Sequence, residues 1–183
     1  MSGSNVLGGK VWKFGDDINT DLMLPGPWLF RSAGEQAKAV FINNRPEFLR
    51  DMRKGDVIIG GFNYGMGSSR PAARSLRNAG VGFLLAEALN GLFFRNCVNF
   101  GFRAFECPGV SKAFEEGDRA ELSIDDWTAT NPRTGQTLAV TPIPPMLLEM
   151  MLGGGVQPML EAKGMIARRQ MEQAVGRSGF QTK

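Results

Sequence analysis

The sequence predicts an α/β domain. Three observations carry that reading: two continuous apolar runs of strand length, DVIIGGF (56–62) and VGFLLA (81–86); helix-like segments between and after them; and a globular balance of 43% hydrophobic and 21% charged residues. A continuous apolar run is what a strand covered on both faces looks like. A length of 183 residues suits one domain.

In chain order, KVWKF (10–14) reads as a short strand, followed by the polar turn GDDINTD and the apolar LMLPG. EQAKAVFINN (35–44) reads as a helix with Ala37, Val40 and Phe41 on one face. Arg45-Pro46 breaks it, and EFLRDMRKG gives another helical turn or two. PAARSLRNAG (71–80) is a helix punctuated at both ends. Pro71 suits its first position and Gly80 its stop, with Ala72, Ala73, Leu76 and Ala79 facing the core. EALNGLFFRNCVN (87–99) is the next helix, and FGFRAFEC a further strand. Beyond Gly109, AELSIDDWTAT and TLAVTPIP around NPRTGQ predict a β-hairpin, and PMLLEMMLGGG a short helix stopped by glycines. The domain is expected to span residues 1–165, with a basic tail over 166–183.

Composition removes several chemistries. The chain has no histidine, which excludes Ser-His-Asp and Cys-His nucleophiles and the commonest transition-metal ligand. Cys97 and Cys107 are the only two cysteines, too few for a zinc or iron–sulfur site made by this chain alone. They are also too few for a disulfide framework. With no secretory signal and no run of about 18 apolar residues, the expected location is the cytoplasm. The net charge is +3. A basic tail is one way to touch nucleic acid, but Glu172 and the interspersed apolar residues favour a solvated helix.

The chemistry concentrates in GFNYGMGSSRPAARSL (61–76). It has no Gly-Lys-Ser/Thr for a P-loop, position 70 is arginine where a dinucleotide fingerprint needs glycine, and there is no Gly-x-Ser-x-Gly elbow. What remains is a cradle. Gly65 and Gly67 permit positive φ and close approach of a ligand. Ser68 and Ser69 lie at or just before a helix N-terminus, which favours an anion. Arg70 adds a fork that matches a carboxylate. The plain alternative is that Ser69 only caps the helix and Arg70 is solvated.

GDDINTDLMLPG, GGFNYGMGSSRPAA and AEALNGLFFRNCVNFGF, with Asn96, Asn99 and Gly101 in an NxxNxG pattern, resemble in order and spacing the small subunit of 3-isopropylmalate dehydratase and the swivel domain of the aconitase superfamily. LEAKG (160–164) resembles the family's C-terminal piece. The resemblance implies a single three-layer swivelling β/β/α domain. It also implies a hydro-lyase whose large subunit, a second chain, carries a 4Fe-4S cluster and holds the substrate hydroxyl on an open iron. Under it, Ser68 is the catalytic serine that takes the proton beside a carboxylate, and Ser69 and Arg70 contact substrate carboxylate. GPWLFRSAG (26–34) falls at the substrate-recognition segment, with Trp28, Leu29 and Phe30 setting specificity and Arg31 as a second clamp. For Trp28 and Phe30, ordinary loop packing is the competing reading. Pro71-Ala72 replaces the family's common Glu-His, and Met66 a common cysteine.

The expected function is therefore the small subunit of a heteromeric hydro-lyase acting on 3-isopropylmalate or a related alkylmalate, inactive without its large subunit. The alternatives are a non-catalytic anion- or metabolite-binding regulatory module, or a homoaconitate- or aconitate-type tricarboxylate specificity.

Overall fold

The computed structural model describes residues 6–67 and 70–166. Strand β1 (Val6–Lys13) leads into a polar loop, the short helix α1 (Thr20–Met23), a 3-10 turn (Gly26–Trp28), and helices α2 (Ala33–Ala37) and α3 (Pro46–Asp51). Strand β2 (Val57–Gly60), helix α4 (Ala72–Ala79), strand β3 (Phe83–Ala86), helix α5 (Gly91–Phe100) and strand β4 (Ala104–Glu106) follow in alternation. Helix α6 (Val110–Ala113), strands β5 (Arg119–Ser123), β6 (Thr128–Asn131) and β7 (Gln136–Ala139), and helices α7 (Pro145–Leu152) and α8 (Val156–Ala162) complete the described fold. Residues 167–183, which make up nearly all of the expected basic tail, lie outside the described residues. Among the described residues no helix is long and apolar enough to cross a membrane.

One seven-stranded sheet, in the order β4-β3-β2-β1-β5-β6-β7, joins two unlike halves through β1. The N-terminal part of β1 pairs antiparallel with β5 (Val6↔Ser123 to Lys10↔Arg119), and its C-terminal part pairs parallel with β2 (Val11↔Val57 to Lys13↔Ile59). Every residue of β2 and β3 is buried, with helix α6 packed against both strands; this explains the unbroken apolar runs. Strands β5 and β6 alternate buried residues with half-buried or exposed ones, as an antiparallel sheet with one wetter face does. The sheet curls. Trp127 meets the Phe105 ring edge-on at 6.1 Å, and the Thr141 amide beyond β7 donates to the Glu106 carbonyl of β4 at 2.8 Å. The predicted α/β class holds.

Three local expectations change. The helix expected over 35–44 ends at Ala37; it starts at a Ser32–Glu35 capping box, and residues 38–44 are turns. The buried face was read correctly, since Ala37, Val40 and Phe41 are all interior. The helical period fails because the Phe41 amide donates to the Met23 carbonyl, 18 positions back, at 2.9 Å. Phe41 thereby takes a φ of 56° and stacks at 4.4 Å on Phe14. The helix expected from Glu87 begins at Gly91 behind an Asn90 cap, because Leu89 bridges to Tyr64 instead. The expected hairpin is a three-stranded meander: β6 and β7 form it around NPRTGQ, and a turn ending at Trp127, with φ 52°, releases β5 as a further strand.

Candidate functional site

The site is built where β2 ends. Gly60 lies under the Tyr64 ring; a Cβ there would stand 2.4 Å from a ring carbon. Gly61 sits against Asp16, whose carboxylate accepts the Phe62 amide at 2.8 Å. Asp17 accepts from the Asn63 side chain at 2.9 Å, and the Gly65 amide donates to the Ile18 carbonyl at 2.7 Å. From the other side, Tyr64 exchanges bonds with Ala88 and Asn90, at 3.0 and 2.8 Å. Asp16 and Asp17 of the GDDINTD stretch are therefore consumed in holding the turn. A loop that bonds on both flanks keeps one shape, which is what a binding turn needs.

Gly65 and Gly67 have φ of +87° and +89°, the left-handed values expected of them. At Gly65 the need is doubled, since a Cβ would lie 2.2 Å from Cγ of Phe93. Tyr64 beneath the turn is fully buried, and burial drives its phenol pKa up. Thr20 donates its amide to the Met66 carbonyl at 2.9 Å, joining α1 to the turn.

Ser68 and Ser69 lie outside the described residues. Arg70 is described, and its placement is specific. Its Nε donates to Asp21 Oδ1 at 2.7 Å, and a Cβ on Gly26 would stand 3.7 Å from its Nη2. The Arg70 side chain is 21% exposed, so the guanidinium is recessed rather than solvated. Among the described residues Asp21 is its only ion-pair partner. The N-cap position of α4 falls on Pro71, not on Ser69, and among the described residues no side chain caps it. As at any helix start, the first amides of α4 have no intrahelical acceptors.

The segment 26–31 borders Arg70 through Gly26. Trp28 and Leu29 are half-buried, and their carbonyls accept from Gln36 Nε2 at 3.2 and 2.9 Å. Gln36 in turn accepts from Arg74 of α4 at 2.9 Å, so the segment is tied to the helix that follows Arg70. Phe30 is 93% exposed, which rules out loop packing for its ring. Arg31 has a partner of its own, Glu35 at 4.0 Å, and an exposed side chain. No described hydrogen bond joins it to the Arg70–Asp21 pair.

Asp21 is the residue that sequence reasoning missed. It stands in the resembling GDDINTDLMLPG stretch, yet 49 positions separate it from Arg70, and no local pattern pairs them. Behind the turn, Glu87 follows β3. Burial opposes its charge, but bonds from the Ser111 hydroxyl and the Gly109 and Ser111 amides hold its pKa below the usual carboxylate value. Cys97 and Cys107 are buried free thiols. Burial raises the first well above its ordinary range and pushes the second up to about 12. Among the described residues no group of three or more cysteines, aspartates and glutamates is placed to hold a metal.

Comparison with known proteins accords with this geometry. The aconitase C-terminal domain family model matches residues 31–108. The isopropylmalate/citramalate isomerase small subunit of Methanocaldococcus jannaschii is 35% identical over 161 residues, covering 87% of this chain and 96% of its own. The homoaconitase small subunit of Thermus thermophilus is 41% identical over 150 residues, covering 80% and 91%. A crystal structure of a 3-isopropylmalate dehydratase from Methanocaldococcus jannaschii superposes with a TM-score of 0.82 at 26% identity, over 87% of this chain and 96% of that one. With the curled sheet, the glycine turn and the recessed arginine in place, the chain belongs to the family of 3-isopropylmalate dehydratase small subunits, whose domain is that of the aconitase C-terminus.

Proposed function

We propose that this chain is the small subunit of a two-chain hydro-lyase that removes and re-adds water on 3-isopropylmalate or a related alkylmalate. The observation that carries the reading is Arg70, recessed at the lip of a rigid glycine turn and oriented by Asp21. A guanidinium fixed through Nε presents its outer edge as a fork, the shape that receives a carboxylate. Ser68 acts as the base that takes the proton beside that carboxylate while the hydroxyl departs. Ser69 donates to the carboxylate, and Arg31 is a second clamp. The N-terminus of α4 and the Arg70 charge favour the anionic form of a hydroxyl base.

A partner large subunit carries the 4Fe-4S cluster, which supplies a Lewis acid for the departing hydroxyl. The chain has no histidine and two buried cysteines, so its own side chains fit the complementary role of binding and proton transfer. The cytoplasm, where thiols stay reduced, is the setting that suits both.

Two exposed side chains on one segment bear on specificity. Phe30, 93% exposed, suits an alkyl substituent. Arg31, with its side chain 62% exposed, favours a second reading with an additional carboxylate, as in a homoaconitate-type acid. A substrate panel on the chain co-expressed with its cognate large subunit separates them. Hydration of a 2-alkylmaleate supports the first, and turnover only of tricarboxylates supports the second. No turnover of either, with tight metabolite binding by the isolated chain, would establish a regulatory module instead. In the same complex Ser68→Ala is expected to lower kcat at least about 100-fold without loss of assembly. Full turnover in that variant removes Ser68 from the chemistry.

A further inference from the structure

At the opposite end of the parallel strands lies a cavity of 260 Å³ that the proposed reaction does not use. It opens where the chain enters β2, β3 and β4, and three cations line it: Lys54, Arg77 and Arg103. No aspartate or glutamate is among its lining residues. Arg77 spends Nη1 on the carbonyls of Phe100 and Gly154, at 2.8 and 3.0 Å, which fixes its guanidinium at the wall. The side chains of Lys54 and Arg103 have no hydrogen-bond or ion-pair partner among the described residues, and Arg103 Nε is buried without one.

The wall itself is made of backbone. A Cβ on Gly101 would lie 2.2 Å from the Gly154 carbonyl carbon, and one on Gly82 would lie 2.5 Å from the Gly55 oxygen. Glycine is required at both positions for the strand entries and the α5–α7 connection to close around the space. Lys54 and Arg77 are exposed and Arg103 is half-buried, so three like charges gather around the mouth of the cavity. The Arg103 Nε is a buried donor left unpaired, which is costly. A small anion seated among the three charges would relieve both.

We infer that this cavity is a binding site for a compact dianion, a phosphate or a small dicarboxylate. The two arginines supply planar donors, and Lys54 supplies a mobile point charge at the rim. The site is separate from the glycine turn: β2 runs from one to the other, four residues of fully buried strand.

The test is thermal unfolding of the full chain at constant ionic strength in sodium phosphate, sodium succinate or sodium chloride. Phosphate or succinate is expected to raise the midpoint saturably, and chloride is not. Whichever anion saturates at lower concentration identifies the chemistry. Lys54→Gln and Arg103→Gln should each weaken the response at least tenfold, and Arg70→Gln should leave it in place. Lys54 is exposed, so its variant decides the matter even if Arg103→Gln fails to fold. The proposal is overturned if neither dianion gives a saturable rise. It is equally overturned if the rise survives both glutamine variants, or if Arg70→Gln abolishes it.

Discussion

The two ends of β2 handle positive charge in opposite ways. Where the strand leaves the sheet, Arg70 is recessed and matched by Asp21, and the adjoining turn is bonded on both flanks. Where the strand enters, Lys54 and Arg103 face a cavity with no acid. The same short, fully buried strand supports both. A guanidinium paired through one nitrogen is aimed, because its remaining edge has a fixed direction. Unpaired cations have no preferred direction until an anion arrives. The first arrangement is suited to positioning a substrate for a proton transfer, the second to capturing a charge.

The contrast is broken most severely by disturbing the turn. Gly65→Ala places a Cβ against Phe93 and forces a non-glycine residue to a φ near +87°. It should cost about 3 kcal/mol in urea unfolding. Because Phe93 and Cys97 lie on one helix beneath the turn, the variant should also expose the Cys97 thiol. Burial now holds that thiol's pKa well above its ordinary range, so iodoacetamide should leave it unmodified at neutral pH in the parent chain. It should alkylate in the variant. An unchanged midpoint and an inert thiol would mean that the turn tolerates the change and is less tightly defined than its bonds imply.

A milder change tests the aiming of Arg70. Asp21→Asn keeps an acceptor beside Nε but removes the charge. The Asp21 side chain is 63% exposed, so solvent discounts the interaction to about 1 kcal/mol at most. KM of the assembled enzyme should rise about fivefold, with kcat changed less. An unchanged KM would reduce Asp21 to a surface ion pair.

Much of this was legible in the sequence, for identifiable reasons. Strands β2 and β3 were readable because every residue in them is buried, leaving unbroken apolar runs. Helix α4 was readable from its own punctuation, Pro71 before it and Gly80, at φ 101°, after it. The positive φ at Gly65 and Gly67 followed from residue type and turn context. What could not be read depended on distant partners. The turns over 38–44 exist because Phe41 bonds to Met23 and stacks on Phe14, and hydrophobic spacing alone takes the same residues for a helix. The split of 120–130 into two strands depends on a left-handed Trp127, a residue type that gives no such warning. The Asp21–Arg70 pair is a tertiary fact, created only when α1 docks beside the turn.

The most direct measurement is steady-state kinetics of the Arg70→Lys variant in the complete two-chain enzyme, with 3-isopropylmalate as substrate. If a carboxylate is received by the outer edge of this guanidinium, a lysine point charge cannot replace two parallel bonds. KM should then rise about 10- to 100-fold while assembly is retained. A KM equal to that of the parent enzyme would contradict the account, because the substrate would then be held elsewhere.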